Sequence, residues 1–132
     1  GLTVQRVRNN QVSFTDTKSG KNRSVPITQA LYDEIHEHAK LTKGNAVFTG
    51  SISSFRRALK RTTIELPKGQ AAHVLRHTFA SHFMMNGGNI LALQKILGHS
   101  DIKMTMRYAH LSPDFLEEAV RLNPLQINME IR

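Results

Sequence analysis

The apolar residues near the start of the chain recur at every second position, and further along they recur at a helical spacing. Residues 11–15 alternate polar and apolar side chains, and residues 23–27 do so again. A basic stretch that contains Gly20 lies between them, so we predict a β-hairpin with a basic tip. Pro26 has no amide hydrogen for a sheet ladder, which predicts that the second strand lies at an edge.

A helical spacing begins after Thr28, which can cap a helix whose apolar positions Leu31, Ile35 and Ala39 recur at that spacing. A second helix is predicted over residues 51–63, before a break at residues 67–69. Its expected inward positions are Ile52, Phe55 and Leu59, and its expected outward positions are Arg56, Arg57, Lys60 and Arg61.

The strongest helical pattern covers residues 71–86. Leu75, Phe79 and Phe83 form one apolar stripe along it, and the glycine pair at 87–88 predicts its end.

Three shorter helices are predicted after this one. They cover residues 89–97 with Asn89 as cap and Gly98 as stop, residues 100–111 with Ser100 or Asp101 as cap, and residues 112–121. The sequence therefore predicts one mainly α-helical domain with a small antiparallel β-sheet over residues 1–124. Residues 125–132 are predicted to be a tail, with Leu125, Ile127, Met129 and Ile131 at a period of two.

The net charge indicates more about the partner of this chain than the overall composition does. The 132 residues include 18 Lys and Arg against 10 Asp and Glu, a net charge of +8 at pH 7. Residues 1–66 hold 11 of those 18 cations. This balance favours a polyanionic partner that contacts mainly the first half of the chain.

Other classes of protein are disfavoured by what the composition lacks. There is no cysteine, which excludes disulfides, thiolate metal sites and cysteine nucleophiles within these residues. No apolar run approaches the length of a membrane span, and no signal peptide is evident. We therefore expect a cytoplasmic protein with no membrane partner.

Three short signals carry candidate chemistry. His73 and Arg76 are three residues apart on the strongest helix, so both side chains can converge on one anion. Gly98 ends a helix and places His99 in a tight loop, and Tyr108 follows nine residues later. Taken singly, these are typical of a solvated helix edge, a loop histidine and a packed tyrosine.

Taken together, their order and spacing resemble the signature of the tyrosine recombinases, the phage integrase family of site-specific DNA recombinases. The strings at residues 73–82 and 105–110 resemble that family over their whole lengths. The resemblance extends from the hairpin to about Pro124, and in detail it is greatest to integrases of temperate tailed phages and prophages.

The resemblance implies a reaction and a role for each residue. Tyr108 would attack a DNA phosphodiester and form a 3′-phosphotyrosine, while Arg76 and His99 would stabilise charge on the phosphate. His73 would position or deprotonate the phenol, or orient Arg76. Because the covalent bond conserves the energy needed for rejoining, no cofactor, ATP or metal is implied.

The family also carries a catalytic lysine in a β-turn, and Lys18 at the hairpin tip matches it, with Lys21 as the competing candidate. The family's first arginine lies on a helix before the hairpin, and we expect that this chain lacks it and is a truncated catalytic domain. For these residues by themselves, a non-catalytic DNA-binding fragment is therefore the alternative.

The expected partners are double-stranded DNA attachment sites and other copies of the protein, as a tetramer on DNA and as either a monomer or a dimer when free. Within a bacterial host this predicts a nucleoid-associated protein. The candidate DNA contacts are Lys21, Arg23, Arg56, Arg57, Lys60 and Arg61.

Two rival functions stay open. His73 and His77 could share a metal ion, although Val74 stands where the zincin pattern requires glutamate. A DNA-binding module without catalysis would share the basic surface, and trapping of a covalent DNA adduct would distinguish it from a recombinase.

Overall fold

The computed structural model describes residues 1–15, 20–50, 52–114, 116 and 118–125. Within them a three-stranded antiparallel sheet precedes six α-helices. The strands are β1 (Val7–Arg8), β2 (Gln11–Phe14) and β3 (Arg23–Pro26). The helices are α1 (Gln29–Leu41), α2 (Ile52–Leu59), α3 (Ala71–Met85), α4 (Ile90–Leu97), α5 (Lys103–Met106) and α6 (Glu118–Arg121).

The predicted hairpin is confirmed, and β3 lies at the sheet edge as Pro26 indicated. The sequence did not predict β1, which pairs Val7 with Val12 on β2. Asn9 and Asn10, with φ of 50° and 55°, form the two-residue turn between these strands. Asparagine tolerates this left-handed backbone better than most residues, so the Asn-Asn pair was the available signal.

The sheet and α1 share one apolar cluster. Val7, Val12, Ile35 and Val47 are buried there, and Tyr32 packs against them. The Thr28 side chain accepts a hydrogen bond from the Leu31 amide at 3.2 Å, which confirms the predicted cap.

A second cluster joins α3 to α4 and to the segment that carries the candidate nucleophile. Its buried members are Ala80, Met84, Leu93, Leu97 and Tyr108. The Asn89 side chain accepts from the amides of Leu91 and Ala92, and Gly98 ends α4 with φ 69°, so both predicted ends of this helix are confirmed.

The apolar stripe predicted for α3 is confirmed at Phe83, which packs against this second cluster, and is wrong at Leu75 and Phe79. Leu75 is 61% exposed and Phe79 is 47% exposed, whereas Ala80 and Met84 are buried. The stripe was assigned from the largest side chains, but the face that packs against α4 is centred on the small Ala80, about 100° around the helix from Phe79.

The prediction for α2 is wrong in its packing and its end. Ile52 and Phe55 are exposed and Leu59 is half-buried, so no residue of α2 is buried. The helix ends at Leu59, before the predicted end at residue 63. After it the backbone hydrogen bonds span three residues, with the Thr62 amide donating to the Leu59 carbonyl at 3.0 Å and the Thr62 hydroxyl donating to the same carbonyl at 2.7 Å.

The predicted helix over residues 100–111 is also shorter. It is confined to α5, with the Asp101 side chain accepting from the Lys103 amide at 2.9 Å. Tyr108 lies after α5, where a 3₁₀ turn (Ala109–Leu111) begins. In the last predicted helix only α6 is helical among the described residues, and the Asp114 side chain accepts from the Leu116 amide.

Three further predictions concern residues outside the described part of the chain. Lys18 is one of them, and the others are residue 51 and the tail beyond Leu125. Of the apolar positions of α1, Ile35 is buried, whereas Leu31 is 43% exposed.

Candidate active site

Tyr108 is held in the α3–α4 cluster with only 7% of its surface exposed. Its amide donates to the Thr105 carbonyl at 3.0 Å, and its own carbonyl accepts from the Leu111 amide at 3.1 Å. The turn that presents the phenol is therefore fixed at both ends by backbone hydrogen bonds.

Arg76 is half-buried on α3 and donates from Nη2 to the carbonyl of Leu97, the last residue of α4. Carbonyls at a helix C-terminus lack intrahelical partners and carry partial negative charge, so a guanidinium is favoured there. This hydrogen bond uses one of the five N–H donors of Arg76.

His99 follows the left-handed Gly98 and is fixed by two neighbours. Its amide donates to the Gln94 carbonyl at 3.1 Å, and its Nδ1 lies 2.9 Å from Oγ1 of the fully buried Thr105. When the Thr105 hydroxyl donates to Nδ1, the proton of a neutral imidazole is on Nε2. Thr105 was not identified from sequence, since one buried threonine leaves no periodic signal.

Burial lowers the pKa of His99, and the positive charges of Arg76, Arg107 and Arg23 lower that pKa further. The imidazole is therefore neutral at pH 7 and still has one N–H to donate.

His77 is the residue whose role the sequence did not indicate. Its Nδ1 makes a short hydrogen bond with the Tyr108 hydroxyl, and the two rings lie 5.9 Å apart between centroids. His77 lies four residues after His73 on α3, so both side chains are on one edge of the helix. From that spacing the sequence suggested only that the two histidines could share a metal ion. Among the described residues, no group of three or more His, Asp or Glu is arranged to hold a metal ion.

These residues line a single cleft between α3, the α4–α5 loop and α5. Its volume is about 480 Å³. Three of the side chains that line it carry fixed positive charge, and none of the described ones is a carboxylate. The lining residues are His73, Arg76, His77, His99, Lys103, Met104, Arg107 and Tyr108.

The cleft unites four of the five predicted catalytic residues. Tyr108, Arg76, His73 and His99 all line it, and Lys18 lies outside the described residues. The other tyrosine, Tyr32, packs against the sheet cluster, and its ring is tilted against that of His36 at 4.3 Å between centroids. Tyr108 is thus the tyrosine that lines this cleft.

Arg23 connects the sheet to this cleft. Its guanidinium occupies the space beside Gly98, where an added Cβ would lie 2.2 Å from Nη1. It also lies 4.9 Å from the centre of the Phe14 ring, and its buried Nε has no hydrogen-bond partner among the described residues. Burial, and then Arg76, lower the pKa of Arg23. Arg23 was predicted as a DNA contact, and its position against Gly98 adds a bracing contact that the sequence did not indicate.

The other predicted DNA contacts do not line the cleft that holds Tyr108. Lys21 is exposed and lines a second cleft, which it shares with Arg23, Lys95 and His99. The predicted basic residues of α2 and the turn after it are all exposed: Arg56, Arg57, Lys60 and Arg61.

The chain is similar to known proteins over nearly all of its length. The family model described as "Phage integrase family" matches residues 1–114. The integrase of Escherichia phage 186 is 60% identical over 87% of the chain, and the integrase of Haemophilus phage HP1 is 56% identical over 94%. The chain spans about a third of the length of these two relatives, 33% and 35%.

Solved structures give the same result. The catalytic domain of bacteriophage HP1 integrase superposes with a TM-score of 0.82 at 56% identity, covering 95% of this chain and 71% of that one. A XerA recombinase shares the fold at 24% identity, with a TM-score of 0.65 over 93% of this chain and 50% of that chain.

The fold is that of tyrosine recombinase catalytic domains, with the antiparallel sheet and the α3–α4 pair as its described core. This chain belongs to the phage integrase family. No helix among the described residues is long and apolar enough to cross a membrane.

Proposed function

We propose that this chain supplies the catalytic residues of a site-specific DNA recombinase that integrates or excises phage DNA. The observation that carries the proposal is the shared cleft, in which a tyrosine hydroxyl lies with Arg76, Lys103 and Arg107 and no described carboxylate. Such a cleft favours a phosphodiester over a cationic or neutral ligand.

Tyr108 is the proposed nucleophile. Its Oη forms a bond to the scissile phosphorus while the bond from phosphorus to the 5′ oxygen breaks. The product is a 3′-phosphotyrosine, whose energy is available when a 5′ hydroxyl attacks it in the rejoining step. Because the phosphotyrosine conserves that energy, the proposed reaction needs neither ATP nor a metal.

Arg76 and His99 are proposed to stabilise the phosphate as negative charge develops on its nonbridging oxygens. Arg76 can do so because one hydrogen bond to Leu97 fixes its side chain while other N–H groups remain. His99 contributes a neutral N–H from a loop that Gln94 and Thr105 hold in place.

Lys18 remains the proposed general acid that protonates the departing 5′ oxygen, with Lys21 as its alternative. His73 is exposed at the mouth of the cleft, which supports a role in orienting Arg76 or the phosphate. The arrangement of these groups around DNA is an inference from the resemblance.

DNA attachment sites are the proposed partner, with four protomers acting together on two duplexes. The Tn1549 transposon integrase, solved in complex with circular intermediate DNA, shares the fold at a TM-score of 0.60 and 22% identity. In this chain the exposed cations on and after α2 would contact backbone phosphates, and the tail beyond Leu125 would dock on a neighbouring protomer.

A suicide substrate tests this function against DNA binding without catalysis. Because the chain spans 33% of the phage 186 integrase, it is assayed alone and as a grafted integrase, in which it replaces the matching segment of that relative. The DNA is a phage 186 attachment site, nicked so that the short 5′ fragment diffuses away after cleavage. A recombinase accumulates a covalent protein–DNA adduct, whereas DNA retention without any adduct in the grafted integrase would support the binding module.

A further inference from the structure

We propose that His77 is a catalytic residue that holds the Tyr108 hydroxyl and accepts its proton when the phenol attacks. The proposal rests on the proposed function, because it takes Tyr108 as the nucleophile. The observation that carries it is the direct hydrogen bond between His77 Nδ1 and the Tyr108 hydroxyl.

The surroundings of this pair favour transfer in that direction. Tyr108 is almost fully buried and its hydroxyl hydrogen bonds to His77, so bulk water has little access to the phenol proton. A phenol is a weak nucleophile until it loses that proton, so a base must already be in contact with it.

The other groups that line the cleft are cationic or neutral. His73 and Arg76 lie on the same helix as His77, His99 comes from the α4–α5 loop, and Lys103 and Arg107 come from α5 and the residue after it. None of the described residues that line the cleft is a carboxylic acid, so no described carboxylate takes the place of the phenol as the partner of His77.

His73 is less well placed to act as this base. It lies one helical turn before His77 and is exposed, and the contact to the phenol is made by His77. The two histidines are therefore assigned different sides of the reaction, His77 to the nucleophile and His73 to the phosphate.

The proposed step conserves protons and electrons. An Oη electron pair forms the bond to phosphorus as the Oη proton moves to His77 Nδ1. The bond from phosphorus to the 5′ oxygen breaks, and that oxygen takes a proton from the general acid. In rejoining, His77 returns the proton to Tyr108 when the phosphotyrosine bond breaks.

The tautomer of His77 is the first test, and it needs no activity. In ¹⁵N-histidine spectra of this chain we expect neutral His77 to carry its proton on Nε2, with Nδ1 as acceptor, and the Nδ1 signal to shift in Tyr108→Phe. The proposal would be overturned by a proton on Nδ1 of neutral His77, or by a His77 Nδ1 signal that is the same in the unchanged chain and in Tyr108→Phe.

Kinetics of adduct formation by the grafted integrase are the second test. His77→Asn keeps a hydrogen-bond acceptor near the phenol but cannot take a proton, so we expect a loss of about 100-fold or more and a weaker dependence of the rate on pH. His77→Ala should lose as much and regain activity when imidazole is added. Far-UV circular dichroism checks that both variants fold.

His82→Asn is the matched control, because His82 is exposed on the same helix and does not line the cleft. This variant should form the adduct at the rate of the unchanged protein, and added imidazole should not alter that rate. Full activity in His77→Asn, or transfer of the pH dependence and imidazole rescue to His73 variants, would overturn the His77 assignment. Adduct formation that persists in Tyr108→Phe would instead overturn the proposed function.

Discussion

The α3–α4 region and α2 present basic side chains in two different ways. In the first, Arg76 and His99 are held by hydrogen bonds to backbone or buried partners, over a cluster that includes the fully buried Leu93. In α2 no residue is buried, and its basic side chains are exposed together with Ile52 and Phe55. Chemistry at one phosphate requires fixed donors, whereas attraction to a polyanionic surface requires only charge.

Replacing Arg76 should have the largest effect among the residues that brace the cleft. Arg76→Ala removes a charge-assisted donor to the phosphate and leaves the Leu97 carbonyl without this partner. We expect adduct formation to slow by about 3–4 kcal/mol in activation free energy, or roughly 100- to 1,000-fold. The rate is measured with the grafted integrase on the suicide substrate.

Arg76→Lys separates the effect of charge from that of geometry, because a lysine keeps the positive charge but lacks the planar guanidinium that can donate two parallel hydrogen bonds. It should recover only part of the rate. Full recovery would contradict the proposed geometry, and so would an Arg76→Ala variant as fast as the unchanged protein.

Gly98→Ala should disturb the same region through the backbone. The left-handed φ of 69° strains alanine by about 1 kcal/mol, and the added Cβ also displaces the Arg23 guanidinium. We expect a lower free energy of unfolding in urea and slower adduct formation.

The double variant Arg23→Ala with Gly98→Ala separates the two causes. Removing Arg23 relieves the clash but not the backbone strain, so the two losses of stability should not add. Additive losses would show that Arg23 does not brace the His99 loop.

Neutralising the cations on and after α2 should weaken DNA binding without affecting the fold. Changing Arg56, Arg57, Lys60 and Arg61 to Gln should lower affinity for all DNA sequences alike. The magnitude of the slope of log K against log salt concentration should fall by about 0.9 for each DNA phosphate that the protein no longer neutralises. Because these side chains are exposed, the thermal midpoint should change little.

Lys40 provides the control for that experiment, since it is exposed on α1 and pairs with Glu37 at 2.6 Å. Lys40→Gln should leave the salt dependence unchanged. An equal reduction per neutralised residue in the two variants would indicate that overall charge, and not the α2 surface, determines affinity.

The smallest expected effect is the pH dependence of stability contributed by His99. Burial and the nearby arginines lower the pKa of folded His99 below the ordinary value of 6.5, so the unfolded chain binds more protons between those two values. The contribution to stability is complete above pH 6.5 and is lost as pH falls through the lowered pKa. Urea unfolding of the unchanged chain and His99→Gln should therefore converge in acid.

His110→Gln serves as the reference, because His110 is exposed and does not line the cleft. If His99→Gln and His110→Gln alter the pH profile equally, the pKa of His99 is not shifted by its surroundings.

The sequence predicted the helices with strong local signals and missed the contacts made between them. Thr28, Asn89 and Gly98 act within a few residues of their own positions, so the ends they mark were predictable. Which face of α3 is buried depends on α4, and size alone favoured Phe79 over Ala80. His77 meets Tyr108 across 31 residues, a contact that no local spacing encodes.

Within the candidate site, the family resemblance carried by the order of His73, Arg76, His99 and Tyr108 predicted that these residues act together, and all four line one cleft. The supporting contacts were not predictable. Thr105 and Arg23 act through a buried hydroxyl and a packed guanidinium, and neither follows from the residue type. The sequence also could not show that α2 would leave Ile52 exposed, since burial depends on what packs against a helix.

Covalent trapping by tyrosine variants shows whether Tyr108 is the nucleophile. Tyr108 and Tyr32 are the two tyrosines of the chain. In the grafted integrase, Tyr108→Phe should form no adduct on the suicide substrate and keep its DNA affinity, because only one hydroxyl is lost. Tyr32→Phe should form the adduct, with the DNA on the peptide that contains Tyr108. An adduct that persists in Tyr108→Phe would show that Tyr108 is not the nucleophile.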